Sequence, residues 1–171
     1  LYFHQSRNSL HSAILCGLSF SAAVYGYVAD SGNDISRHME NLLIYRDLSI
    51  YDCFDVLKKF HVSHVYTWDI WSWIVSQTDN PYLLQSTAAF IGYGILSYII
   101  FDYAVINHLK MKYWLPVFFI LLTVISPLDI VIGIRSANAF IICMFAFYQY
   151  YSKKSSRLST FTLLIVAFFL H

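Results

Sequence analysis

The sequence predicts an all-α fold, a polytopic integral membrane helical bundle that carries an extracytoplasmic amphipathic helical insertion. Three observations lead there. Hydrophobic residues make up 58% of the chain and charged ones 12%, with a mean hydropathy of +0.55, whereas a soluble domain is ~45–50% apolar. Several stretches approach the roughly 20 mainly apolar residues that a spanning helix needs. Between these stretches, the Lys and Arg residues sort by side.

The first span is expected over residues 10–28. Ser9 to Val28 has no small-residue cleavage site of the usual kind, so it reads as a retained span and not as a signal peptide. The opening Leu1-Tyr2-Phe3-His4-Gln5-Ser6 is read as native sequence. The start at Leu1 and the end at Phe168-Phe169-Leu170-His171, inside an apolar run, read as those of a piece of a longer chain.

Residues 29–82 differ in kind, holding eight of the ten acidic residues together with Trp68, Trp71 and Trp73. Ile35, Met39, Leu42 and Leu43 recur at helical spacing, with Asp34 or Ser36 near the N-terminus of that helix. Ile50, Phe54, Leu57 and Phe60 form a second stripe, and Val62 to Val75 is rich in Trp and Tyr, which favour membrane interfaces. The segment is therefore expected to lie at the membrane surface as two or three helices, ending in the turn Thr78-Asp79-Asn80-Pro81. Further spans are expected over 83–106, 114–132, 136–151 and 159–171. Gly17, Gly26, Gly92, Gly94 and Pro127 within them are tolerable where neighbouring helices satisfy the backbone.

Lys110 and Lys112 follow the second span, and Lys153, Lys154 and Arg157 follow the fourth, so these loops share a side. The positive-inside rule makes that side cytoplasmic, and Arg7 joins it. The insertion and the short Ile132-Gly133-Ile134-Arg135-Ser136 connection then face outward. Arg37, Arg46, Lys58, Lys59 and Arg135 are the cations that break the rule, and hence the ones that need a reason.

A formal net charge of +1 gives no reason to expect nucleic acid as a partner. Cys16, Cys53 and Cys143 have neither metal-knuckle nor redox spacing. Arg135 ends a tight connection directly before a span, where its planar fork of donors suits phosphate or carboxylate oxygens. Its plainer reading is a snorkelling side chain or a partner for Asp129. Asp34, Arg37 and His38 fall within one helical turn, either as a site that positions a hydroxyl or as a cap with a surface ion pair. Trp68, Trp71 and Trp73 suit either sugar stacking or an interfacial belt. His61, His64 and Asp69 have only loose metal-like spacing, so no metal ligand set is assigned. Asp102 and Asp129 are expected at span ends, within reach of water.

At these residues the chain resembles the EpsG-like, Wzy-type polymerases of bacterial surface polysaccharides (capsule, exopolysaccharide or O-antigen). The resemblance rests on Gly32-Asn33-Asp34-Ile35-Ser36-Arg37-His38-Met39 after a first span, the aromatic segment leading to Tyr82-Leu83-Leu84-Gln85, Ile100-Phe101-Asp102-Tyr103 at a span end, and Gly133-Ile134-Arg135-Ser136-Ala137-Asn138-Ala139-Phe140 before the basic turn Lys153-Lys154. His171 falls where such proteins carry a His at the outer end of the next span. The resemblance implies a multi-pass protein of the bacterial cytoplasmic membrane and a metal-independent glycosyl transfer without a cofactor. In that reaction a glycan on polyprenyl pyrophosphate is moved onto the next lipid-linked repeat unit at the outer face. It further implies a site in which Arg135 and Arg37 steady the pyrophosphate and His171, Asp34 or His38 accepts the hydroxyl proton. The candidate catalytic residues are thus Arg135, Asp34, His171 and His38, and the candidate substrate-binding residues are Arg37, Arg46, Trp68 and Asp69. The implied partners are a polyprenyl-pyrophosphate-linked oligosaccharide, the lipid bilayer and other polysaccharide assembly proteins. A competing reading is a non-catalytic carrier or scaffold of such an assembly. A sugar-modifying membrane acyltransferase fits less well, because it would use a cytoplasmic donor.

Overall fold

An apolar run bounded by Asn80-Pro81 and Asn107-His108 folds as a single helix, α5 (Tyr82–Ile106), against which the other bundle helices are arranged. The structure is a computed structural model that describes residues 2–28, 34–59, 66–153 and 156–170. Every regular element among them is α-helical. α1 (Tyr2–Val24) precedes the insertion helices α2 (Asp34–Tyr45), α3 (Ile50–Lys59) and α4 (Tyr66–Ser76). After α5 come α6 (Met111–Val124), α7 (Pro127–Ile132), α8 (Ile134–Lys153) and α9 (Arg157–Phe168).

α1 runs antiparallel to α5 at very close range. A Cβ on Gly17 would stand 2.8 Å from the Phe90 carbonyl oxygen and 3.3 Å from the Gly94 Cα, so only glycine permits this approach. Farther along the seam the Ser86 hydroxyl donates to the Ser21 carbonyl at 2.8 Å, and Gln85 Nε2 donates to the Val24 and Tyr27 carbonyls at 2.7 and 3.0 Å. Small residues with hydrogen bonds between helices are how helices associate when the surroundings are apolar. α8 runs parallel to α5: Tyr98 meets Phe145 edge-on with ring centroids 5.9 Å apart, and Tyr148 donates to Asp102 Oδ2 at 2.5 Å. Asp102, expected near water at a span end, is only 1% exposed.

The apolar stretch expected as one span over 114–132 is two helices. Ser126 caps α7 by accepting from the Asp129 N–H at 3.2 Å, while Asp129 Oδ2 accepts from the Ser126 N–H at 3.0 Å. Pro127 at the first helical position has no N–H to offer α6, so the chain breaks there. The Tyr93 hydroxyl fastens the break to α5 by donating to the Ile125 carbonyl at 2.7 Å.

The insertion helices sit on one end of this bundle. Trp71 Nε1 donates to Thr87 Oγ1 at 3.0 Å, fixing α4 to α5. Ile35, Leu42 and Trp68 enter the same buried core as Leu84, Ile130, Val131, Ile134 and Leu170. Tyr45 and Cys53 form a smaller core with Leu48 and Trp73, whose Nε1 donates to the Leu48 carbonyl at 2.9 Å. The chain directions give the bundle two distinct ends. One holds the insertion, α7 and the head of α8, and the other holds Lys110, the start of α6 with Lys112 and the start of α9 with Arg157.

Among the described residues one helix, α5, is long and apolar enough to cross a membrane. Asn8–Val24, Met111–Val124 and Arg157–Phe168 are apolar but shorter. The apolar surface is extensive: α6 buries none of its residues, and Leu15, Leu18, Phe119, Ile120, Phe140, Phe161 and Phe168 are all exposed.

Candidate functional site

Gly133 closes α7, and the fully buried Ile134 starts α8, which puts Arg135 in the first turn of that helix. A cation here faces the positive end of the helix dipole, which is unfavourable unless an anion lies between them. Arg135 is half-buried, and its buried Nε makes no hydrogen bond among the described residues. The expected alternative partner, Asp129, is exposed and its carboxylate serves the α7 cap. One turn along, Asn138 is fully buried. Its Nδ2 donates to the Ile134 carbonyl at 2.9 Å, and its Oδ1 makes no hydrogen bond among the described residues.

The insertion supplies the remaining candidates. His38 is 6% exposed, with its ring centroid 4.6 Å from that of Trp68, and Trp68 in turn meets Trp71 edge-on at 5.4 Å. Trp68 is therefore a buried aromatic that orders the insertion, and sugar stacking would need a face that is now covered. Asp69, also buried, acts on the smaller core: burial first and then its carboxylate push the Cys53 thiol up to about 11. Burial, followed by Asp69 and Cys53, raises the Tyr45 hydroxyl as well.

Arg37 is exposed on α2, so it and the buried His38 look in different directions, not toward one shared face. Arg46 pairs with Asp79 at 2.6 Å, both exposed, joining the end of α2 to the turn before α5. A pair in that setting contributes under about 1 kcal/mol. The Asp34 side chain, His171, His61 and His64 lie outside the described residues; α2 begins at Asp34, and Leu170 is buried in the core at this end of the bundle.

No family model, curated protein or solved structure matches this chain. The reading of the site therefore rests on its own geometry. Among the described residues no group of three or more His, Cys, Asp or Glu side chains gathers as a metal ligand set would. What the structure offers is a half-buried guanidinium at a helix head, with buried His38, Trp68 and Asp69 on insertion helices at the same end of the bundle. Such an arrangement can hold an anion, and the exposed Arg37 adds a second cation on that end. Sequence reading gave no separate role to Asn138 or Gln85 and passed over the repeat of small residues Ser9, Ala13, Gly17 and Ser21 on α1.

Cys53 offers a direct check on the insertion. A thiol raised to about 11 contributes stability that is fully present below its ordinary value of 9.0 and is lost as pH rises through 11. With Cys16 and Cys143 replaced by Ala, alkylation of Cys53 at pH 8 should be about a hundredfold slower in the folded protein than after unfolding in detergent and urea. Equal rates would mean that the small core around Tyr45 and Cys53 does not form.

Proposed function

We propose that this chain is part of a multi-pass protein of the bacterial cytoplasmic membrane that polymerises polyprenyl-pyrophosphate-linked oligosaccharide repeat units at the outer membrane face. The single observation that carries the reading is the guanidinium of Arg135, half-buried at the head of α8 with its Nε unpartnered among the described residues. A buried donor without an acceptor costs about 1–3 kcal/mol, which an anionic ligand would recover. Support for the membrane comes from the outward apolar faces of α6 and α9, since soluble monomers rarely expose such large contiguous patches. The small-residue seam of α1 and α5 adds to it. The separation of Arg135 and Arg37 from Lys110, Lys112 and Arg157 at the other end supports the orientation.

In the reaction an acceptor sugar hydroxyl attacks the anomeric carbon of the donor glycan, the bond from that carbon to the pyrophosphate oxygen breaks, and the hydroxyl proton passes to a base. Negative charge grows on the departing pyrophosphate. Arg135 meets that charge as a preorganised cation in a partly desolvated setting, and Arg37 supplies a second, more exposed cation. His38, Asp34 and His171 are the candidates for the proton.

His38 is buried against Trp68, and a base held this way favours a second reading: a carrier or scaffold in which Arg135 grips pyrophosphate without bond-making. The two part in one assay. Membranes containing the complete protein, supplied with a single lipid-linked repeat unit, should return a ladder of longer glycans if it is a polymerase. Single units throughout, with export impaired when the protein is depleted, would give the carrier.

A further inference from the structure

The end of the bundle opposite Arg135 contains a cavity that the glycosyl-transfer reading does not use. It is about 520 Å³ and lies where the N-terminal part of α1, the C-terminal part of α5 and the start of α6 meet. One wall is polar, formed by Asn8, Ser9, Ser12 and His108, of which Ser9 is buried and the others exposed. The other is apolar and aromatic, formed by Phe101, Val105 and Trp114. Asn8, Ser12 and His108 are exposed, so their polar groups are within reach of a ligand that enters the cavity. His108 takes a φ of 51°, in the left-handed region, which makes the turn into α6 and brings Lys110 and Lys112 directly after it. Both lysines are exposed.

A ligand that satisfies both walls is amphiphilic and anionic, with a polar head carrying negative charge and a hydrocarbon part that lies along aromatic rings. From this juxtaposition, resting on the membrane orientation proposed above, we propose that the cavity binds one anionic phospholipid of the cytoplasmic leaflet. Its phosphate meets His108, Ser12 and the two lysines, and its chain lies along Phe101 and Trp114. Indole and lysine at the start of a span are the residues that hold a bundle at a given depth and read the charge of the leaflet. The site is remote from Arg135, so headgroup composition would set the anchoring of this end without entering the chemistry.

The test uses the complete protein in vesicles of phosphatidylcholine containing brominated lipid, with the Trp114 signal taken as the difference between wild type and Trp114→Phe. Brominated phosphatidylglycerol should quench Trp114 more than brominated phosphatidylcholine at equal mole fraction. The preference should fall about fivefold or more in Lys110→Gln/Lys112→Gln and vanish in Ser12→Leu, which fills the cavity from an exposed position. Inorganic phosphate at millimolar concentration should leave the preference unchanged, and loss of quenching on its addition would mean a free-phosphate site in place of a lipid site. Equal quenching by the two lipids, or a preference untouched by both variants, would overturn the proposal while leaving the membrane reading intact. Failure of the protein to enter vesicles at all would instead sink the membrane reading.

Discussion

Arg135→Ala is expected to collapse the glycan ladder to single lipid-linked repeats at unchanged membrane expression. The reasoning is electrostatic. The side chain is half-buried, so its charge is less screened than that of the exposed Arg37, and its Nε has no competing acceptor among the described residues. Losing a preorganised group that meets developing charge lowers turnover by about 10²–10³-fold. Arg135→Lys keeps the charge but not the planar fork, so it should recover only a fraction of the rate. The same exchange at Arg46, which is exposed and already paired with Asp79 at 2.6 Å, should change little. An unchanged ladder in Arg135→Ala would reduce this residue to an anchor among headgroups.

Gly17→Val should be the most damaging single change to the fold. The first added carbon already stands 2.8 Å from the Phe90 carbonyl oxygen, which is backbone and has no rotamer to escape into. Relief requires α1 and α5 to part, and parting stretches the Ser21 to Ser86 and Gln85 to Val24 hydrogen bonds that lie farther along the seam. Overpacking of this kind costs about 1–3 kcal/mol, and the branched side chain should bring it to the upper end. Gly17→Ala should sit nearer to wild type, because alanine gains up to about 1 kcal/mol of helix propensity that offsets part of the clash. Unfolding in detergent, followed by circular dichroism, measures both. A Val variant as stable as the parent would mean that these helices do not approach so closely.

Much of the helical order could be read from local pattern. The α5 helix follows an apolar run with clear stops at Pro81 and Asn107, and α2 follows the stripe of Ile35, Met39 and Leu42, whereas Leu43, expected on the same stripe, is exposed. The break between α6 and α7 was written as Ser126-Pro127 with Asp129 three residues after the cap, yet the unbroken apolar content on both sides masked it. Likewise Ser9, Ala13, Gly17 and Ser21 recur every fourth residue, a small-residue stripe that announces close helix packing. Other features had no local signal. Asp102 is buried because Tyr148, far along the chain, donates to it. Trp68 is covered because α2 happens to present His38 to it. At Arg135 the residue type and its position pointed to a site, but that its Nε meets no acceptor among the described residues depends in part on where Asp129 turned, and that is decided by a cap.

Both the polymerase and the carrier require the insertion and Arg135 to face outward. The most direct measurement starts from the complete protein with Cys16, Cys53 and Cys143 replaced by Ala, and introduces one cysteine at a time in place of exposed Gln77 in the insertion or exposed Lys112 at the opposite end. In intact cells a membrane-impermeant maleimide should label Gln77→Cys, and it should reach Lys112→Cys only after the membrane is opened. Labelling of Lys112→Cys in intact cells, with Gln77→Cys protected, would put Arg135 on the cytoplasmic side and contradict both the polymerase and the carrier.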